Sequence, residues 1–125
     1  MSISRKTRDL VLTRAMGYCE YGGEPLTAPE ETALHHRKLR SHGGRDTPDN
    51  LLVVCHAHHN LASDSIHLKV AKAHIYGYIV TGGQEPEAVL VRIHKRHWAY
   101  LSRDGSYHEP SPELLALITT IGGVR

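Results

Sequence analysis

Few cysteines, almost no net charge and no long apolar run mark this chain, and each shortage removes a class of protein. Only two of its 125 residues are cysteine, Cys19 and Cys55. With the polar, charged start Met-Ser-Ile-Ser-Arg-Lys-Thr-Arg and no signal peptide, that argues against a disulfide-stapled secreted domain. We therefore expect a cytoplasmic protein with reduced thiols. No apolar run approaches the roughly 20 residues of a membrane span. Fifteen Lys and Arg against thirteen Asp and Glu leave a net charge of +2, too small to argue for a nucleic-acid partner by itself. No repeat or low-complexity segment appears, and the length suits one domain able to bury a core.

What the chain does have is concentrated. Six of its eleven histidines fall between residues 35 and 59, within HHRKLRSHGGRDTPDNLLVVCHAHH. Carboxylates are absent from Thr32 to Arg45, while Arg37, Lys38, Arg40 and Arg45 are present. Alone such a loop reads equally as a solvated surface; beside a histidine-held metal it is where a phosphate backbone would have to lie, which makes these four the expected DNA contacts. Ala33-Leu34-His35-His36 reads as a strand end, where adjacent side chains point to opposite faces and so cannot share one task. Leu51-Leu52-Val53-Val54 would pair back on it as a β-hairpin. Asn50, after Thr47-Pro48-Asp49, is by itself an ordinary turn residue; at the root of that hairpin its amide can bridge backbone groups across the long loop.

Four features agree with one template: the paired histidines, Gly43-Gly44, Asn50 opening the apolar run, and His59. Together they resemble the HNH family of endonucleases, the ββα-metal (His-Me finger) nucleases, over about residues 15–75. The resemblance implies an α+β fold with a ββα core at about 32–74 and a metal-dependent hydrolysis of DNA phosphodiesters. It puts His35 and His59 on one divalent ion, His36 at the general base and Asn50 in a positioning role. Imidazole suits the base because its ordinary pKa, about 6.5, leaves it largely neutral near pH 7. Many relatives carry a third ligand one turn after the position of His59. Here that place is Ser63, with Asp64 as the fallback, while His67 lies too far along a continuous helix. Such an open site suits Mg²⁺ or Mn²⁺, with Ni²⁺ or Zn²⁺ as alternatives. The C-terminal part resembles, more weakly than the core, that of small HNH proteins of phages and prophages, which implies a bacterial or phage-infected cytoplasm and suggests the terminase packaging machinery as a partner. The rival expectation is a non-catalytic DNA- or protein-binding module that keeps the fold.

HNH domains often carry a structural zinc knuckle. By resemblance its corners here are Cys19, Gly22, Cys55 and His58, and glycine cannot ligate. Structural zinc almost always has four ligands. Either Glu20, Glu24 or water completes the shell, or the two cysteines are vestigial core thiols.

Elsewhere, residues 4–16 read as a helix capped by Ser4, with Leu10, Val11 and Ala15 inside and Arg5, Lys6, Arg8 and Arg14 outside, ending at Gly17. The ββα helix is expected to run on to a stop at Gly77. Two or three short strands should follow within 78–108, among them Tyr78-Ile79-Val80 and a stretch with Val89, Val91 and Ile93 on one face, then a turn at Asp104-Gly105. A short terminal helix is expected at about 111–119.

Overall fold

Ser4 starts the first helix, α1 (Arg5–Ala15), its Oγ accepting the Thr7 amide at 3.1 Å. The helix stops where Met16 turns left-handed (φ 54°) and its amide bonds the Leu12 and Thr13 carbonyls. Val11 and Ala15 form its buried stripe. Arg14 does not face solvent as expected. It is buried, and its guanidinium meets the Glu20 carboxylate in two bonds of 2.8 Å. It also donates to the carbonyls of Pro48 at 2.8 Å and Leu51 at 2.6 Å. Four acceptors replace water, which is what lets a cation enter the core.

The computed structural model describes residues 2–61, 66 and 69–121. Its small antiparallel sheets and helices make a mixed α+β chain. Strands β1 (Thr32–His36) and β2 (Leu51–Cys55) form the expected hairpin, with His35 opposite Leu52 and His36 opposite Leu51. The two-residue period of β2 divides the core. Leu51 and Val53 pack with Val11 and Ala15 of α1, while Leu52 and Val54 join Tyr21, Ile66, Tyr78, Val91 and Leu101 on the other face. The hairpin is thus a middle layer, which is why Leu51 to Val54 are all fully buried.

After β2 the chain enters a single π-helical turn, Ala57–Leu61, and helix α2 spans only Val70–Ile75. The expected unbroken helix is not formed. The Ile66 amide donates to the His58 carbonyl at 2.9 Å, eight residues back, a bond that a continuous α-helix forbids. With the helix broken, the argument that placed His67 too far away loses its premise; His67, like Ser63 and Asp64, lies outside the described residues.

Tyr78-Ile79-Val80 is not a strand. Tyr78 is a core side chain whose hydroxyl donates to the Arg92 carbonyl at 2.6 Å. Three strands do follow, β3 (Val91–Ile93), β4 (His97–Leu101) and β5 (Tyr107–His108), in one antiparallel sheet. The expected alternation fails in β3, where all three residues are buried. Arg92 is covered because its guanidinium stacks on the Tyr76 ring, 3.6 Å from the centroid. Helix α3 (Pro112–Ile121) closes the described chain, Ser111 Oγ accepting the Leu114 amide at 3.1 Å.

Candidate active site and metal centre

His35 and His36 leave β1 on opposite faces, and their surroundings differ accordingly. His35 shares the face of Leu52 and is buried. Its Nε2–H donates to the Tyr78 carbonyl at 2.6 Å, which makes Nδ1 the lone-pair nitrogen. The π turn brings the His59 ring edge-on to it, centroids 5.2 Å apart. Two imidazoles sharing one ion at about 2.1 Å per nitrogen would have centroids about 5 Å apart, a separation this edge-to-face pair matches.

His36 instead faces the loop. Its Nε2 lies 2.7 Å from Asp46 Oδ1, and Arg40 grips the same carboxylate through Nε at 3.0 Å and Nη2 at 2.9 Å. The hydrogen bonds from Arg40, ahead of that from His36, hold Asp46 below the usual carboxylate range against a small desolvation cost. Buried Asn50 spans the same loop. Its Oδ1 accepts the Lys38 amide at 2.7 Å, and its Nδ2 donates to the carbonyls of Lys38 and Arg45, both at 2.9 Å. This is the backbone bridging expected of it. Gly44 lets the loop close that tightly, since a Cβ there would sit 1.8 Å from the Lys38 carbonyl oxygen.

The four expected DNA contacts do not form one surface. Arg37 is buried and donates to the carbonyls of Gly77 (2.8 Å), Asp49 (2.9 Å), Pro86 (2.9 Å) and Val89 (2.7 Å). Burial, with Arg14 adding repulsion, pulls its pKa down to about 9, so it remains a cation at neutral pH. Lys38 is buried too, its Nζ on the Gln84 carbonyl at 3.2 Å. Both serve as internal ties rather than phosphate contacts. Arg40 is exposed but engaged with Asp46, whereas Arg45 and His42 face solvent.

The knuckle residues do converge. Cys19 Sγ, a Glu24 carboxylate oxygen, Cys55 Sγ and His58 Nδ1 all lie within 4.8 Å of one another and could hold a metal ion. Both cysteines are free thiols. His58 Nδ1 is 3.6 Å from Cys19 Sγ and 3.4 Å from Cys55 Sγ, against about 3.5 Å for a sulfur–nitrogen edge of a zinc tetrahedron. Glu24 Oε2 sits closer, 2.7 Å from His58 Nδ1 and 2.9 Å from Cys55 Sγ, and would retreat by about half an ångström on binding. Glu20 is excluded as the fourth ligand, because both its oxygens are taken by Arg14.

Gly22 explains how Glu24 gets in. A Cβ at position 22 would stand 2.2 Å from Glu24 Oε1 and 2.4 Å from His58 Cε1. The missing side chain is the space the carboxylate occupies. Gly22→Ala should therefore weaken any metal binding at this cluster roughly 10–100-fold, the scale on which disturbed ligand surroundings act. Glu24→Ala should do at least as much, and competition against a chromophoric chelator would measure both. Unchanged affinity in the two variants would remove Glu24 from the shell. In the metal-free protein burial pushes both thiols up, Cys55 to about 12 with a push from Glu24. Loading a metal must then release thiol protons, so apparent affinity rises with pH.

Compared with protein-family models, with characterised proteins and with solved structures, the chain matches none. The site is therefore argued from its own atoms. Sequence reasoning missed Asp46, although its position as the first carboxylate after the bare stretch was a usable signal. The Tyr78 carbonyl had no signal, being backbone.

Proposed function

We propose that the protein is a metal-dependent endonuclease that hydrolyses DNA phosphodiester bonds with His36 as general base. One observation carries the reading: His35 and His59 lie edge to face at the ring separation a shared ion would give, while His36 points across the strand into a separately braced loop. A scaffold that only bound metal would have no use for that second histidine. His35 and His59 would hold the divalent ion, Mg²⁺ or Mn²⁺ before Ni²⁺ or Zn²⁺, and His35 is already oriented for it by the Tyr78 carbonyl. When bound, the ion supplies Lewis-acid stabilisation of negative charge on the phosphate. His36 takes a proton from the attacking water, whose oxygen bonds to phosphorus as the 3′ oxygen leaves. Products carry 5′-phosphate and 3′-hydroxyl ends. Asn50 keeps the loop closed, and Arg45 is its solvent-facing cation placed to meet the backbone. The β1–β2 hairpin followed directly by the π turn is compatible with this reading. The Cys19, Glu24, Cys55 and His58 cluster would hold a second, structural zinc.

Purified protein should nick or cut plasmid DNA in Mg²⁺, Mn²⁺ or Ni²⁺ and stop in EDTA. Cleavage undiminished by chelation would overturn the metal mechanism. Absence of cleavage with every ion, alongside retained DNA binding, would favour the binding-module alternative.

A further inference from the structure

His36 is tied at one nitrogen before any substrate arrives. The partner, Asp46, sits ten residues further on in the loop that Asn50 bridges, and Asn50 holds the carbonyl of the preceding residue, Arg45, at 2.9 Å. Arg40 grips both oxygens of Asp46 from the other side. An ionised carboxylate only accepts hydrogen bonds. A 2.7 Å contact from His36 Nε2 therefore requires the proton on Nε2 and leaves the lone pair on Nδ1.

We propose that Asp46, clamped by Arg40, is a positioning residue that fixes His36 in the Nε2–H tautomer, so that Nδ1 is the atom that takes the proton of the attacking water. The proposal rests on the hydrolase reading above and deepens it. In the step, the water oxygen bonds to phosphorus, its proton moves to Nδ1, the bond to the 3′ oxygen breaks, and that oxygen is protonated from solvent. Asp46 also lies against the imidazolium so formed, where its negative charge is stabilising. The arrangement gives Arg40 a different task from the expected phosphate contact.

The three side chains are too open for this network to be about folding. Their side-chain exposures are 18% for His36, 24% for Asp46 and 47% for Arg40. Exposed ion pairs contribute little to stability. Removing Asp46 should therefore leave the fold intact and expose its effect on His36 alone.

Two readouts test this. In metal-free protein at about pH 8, above the ordinary histidine pKa, long-range ¹⁵N–¹H correlation reports which nitrogen of His36 bears the proton. Wild type should show Nε2–H. Asp46→Asn, whose amide can donate as well as accept, should mix the tautomers or switch them, and Asp46→Glu should keep the wild-type form. In cleavage assays Asp46→Asn should lower kcat roughly 10²–10⁴-fold, the range for a misoriented general base, with KM within about twofold. Asp46→Glu should recover part of the loss, and Asp46→Ala serves where the asparagine variant folds poorly. Wild-type His36 protonated at Nδ1, an unaltered tautomer in Asp46→Asn, or an unchanged kcat would each overturn the proposal. If the tautomer responds as expected but wild type cleaves no DNA, the hydrolase reading falls and the pairing of Asp46 with His36 stands.

Discussion

His36→Ala is expected to slow plasmid cleavage by roughly 10²–10⁴-fold, the contribution of a positioned general base, while leaving Mn²⁺ affinity within a few-fold of wild type. His59→Ala is expected to lose both. The separation follows from β1: His35 shares a face with Leu52 and meets His59, whereas His36 emerges on the other face beside Asp46. On the proposed assignment, deleting His36 removes a base and touches no ligand. Mn²⁺ is the right probe because a hard ion disfavours the thiol cluster at Cys19 and Cys55, so its binding, read by electron paramagnetic resonance, reports the histidine pair. A His36→Ala variant that bound Mn²⁺ as poorly as His59→Ala would show that base and ligand had been assigned the wrong way round.

How far the sequence foretold this arrangement depended on the kind of signal. The hairpin was legible because Leu51 to Val54 is a short, strand-length apolar run that follows a turn and pairs back on Thr32 to His36. The split of the paired histidines followed from the alternation of faces along a strand. Cations were misread for the opposite reason. Arg14, Arg37 and Lys38 advertise charge in the sequence, but their fate was set by carbonyls and a carboxylate supplied from other segments. A long apolar stem lets such a side chain pass through the core once acceptors wait at its end.

The second miss was local. The helix was expected to run unbroken to Gly77, yet apolar patterning carries no record of a helix interruption, and the π turn with its bond from Ile66 to His58 intervenes. The metal corner was halfway legible. Three possibilities stood for the fourth ligand, and the sequence could not choose among Glu20, Glu24 and water. A glycine where a ligand belongs was itself the hint, since the volume it vacates must be filled by a neighbour. Glu24 fills it, and Glu20 is drawn off by Arg14.

That withdrawal of Glu20 yields the largest expected effect on folding. Glu20→Ala should destabilise the protein by about 3–5 kcal/mol, the range for breaking a buried ion pair from one side. The Arg14 and Glu20 side chains are 1% and 0% exposed, so the orphaned guanidinium would have no water to turn to. Two further donors would lose their acceptor, the Val53 amide at 2.9 Å and the Tyr107 hydroxyl. Val53 lies in β2 and Tyr107 in β5, so one carboxylate joins the hairpin to the C-terminal sheet and both to α1. Urea unfolding with the metal sites held saturated would measure the loss. A typical domain has about 5–15 kcal/mol in total, so the variant should remain folded but with a much lower midpoint. Replacing both partners, Arg14→Met with Glu20→Leu, should cost much less than Glu20→Ala, because no charge is then left behind in the core. A Glu20→Ala loss below about 1 kcal/mol, the scale of an exposed pair, would mean that Arg14 finds another acceptor. The carboxylate would then be a passenger between layers held together by their apolar faces.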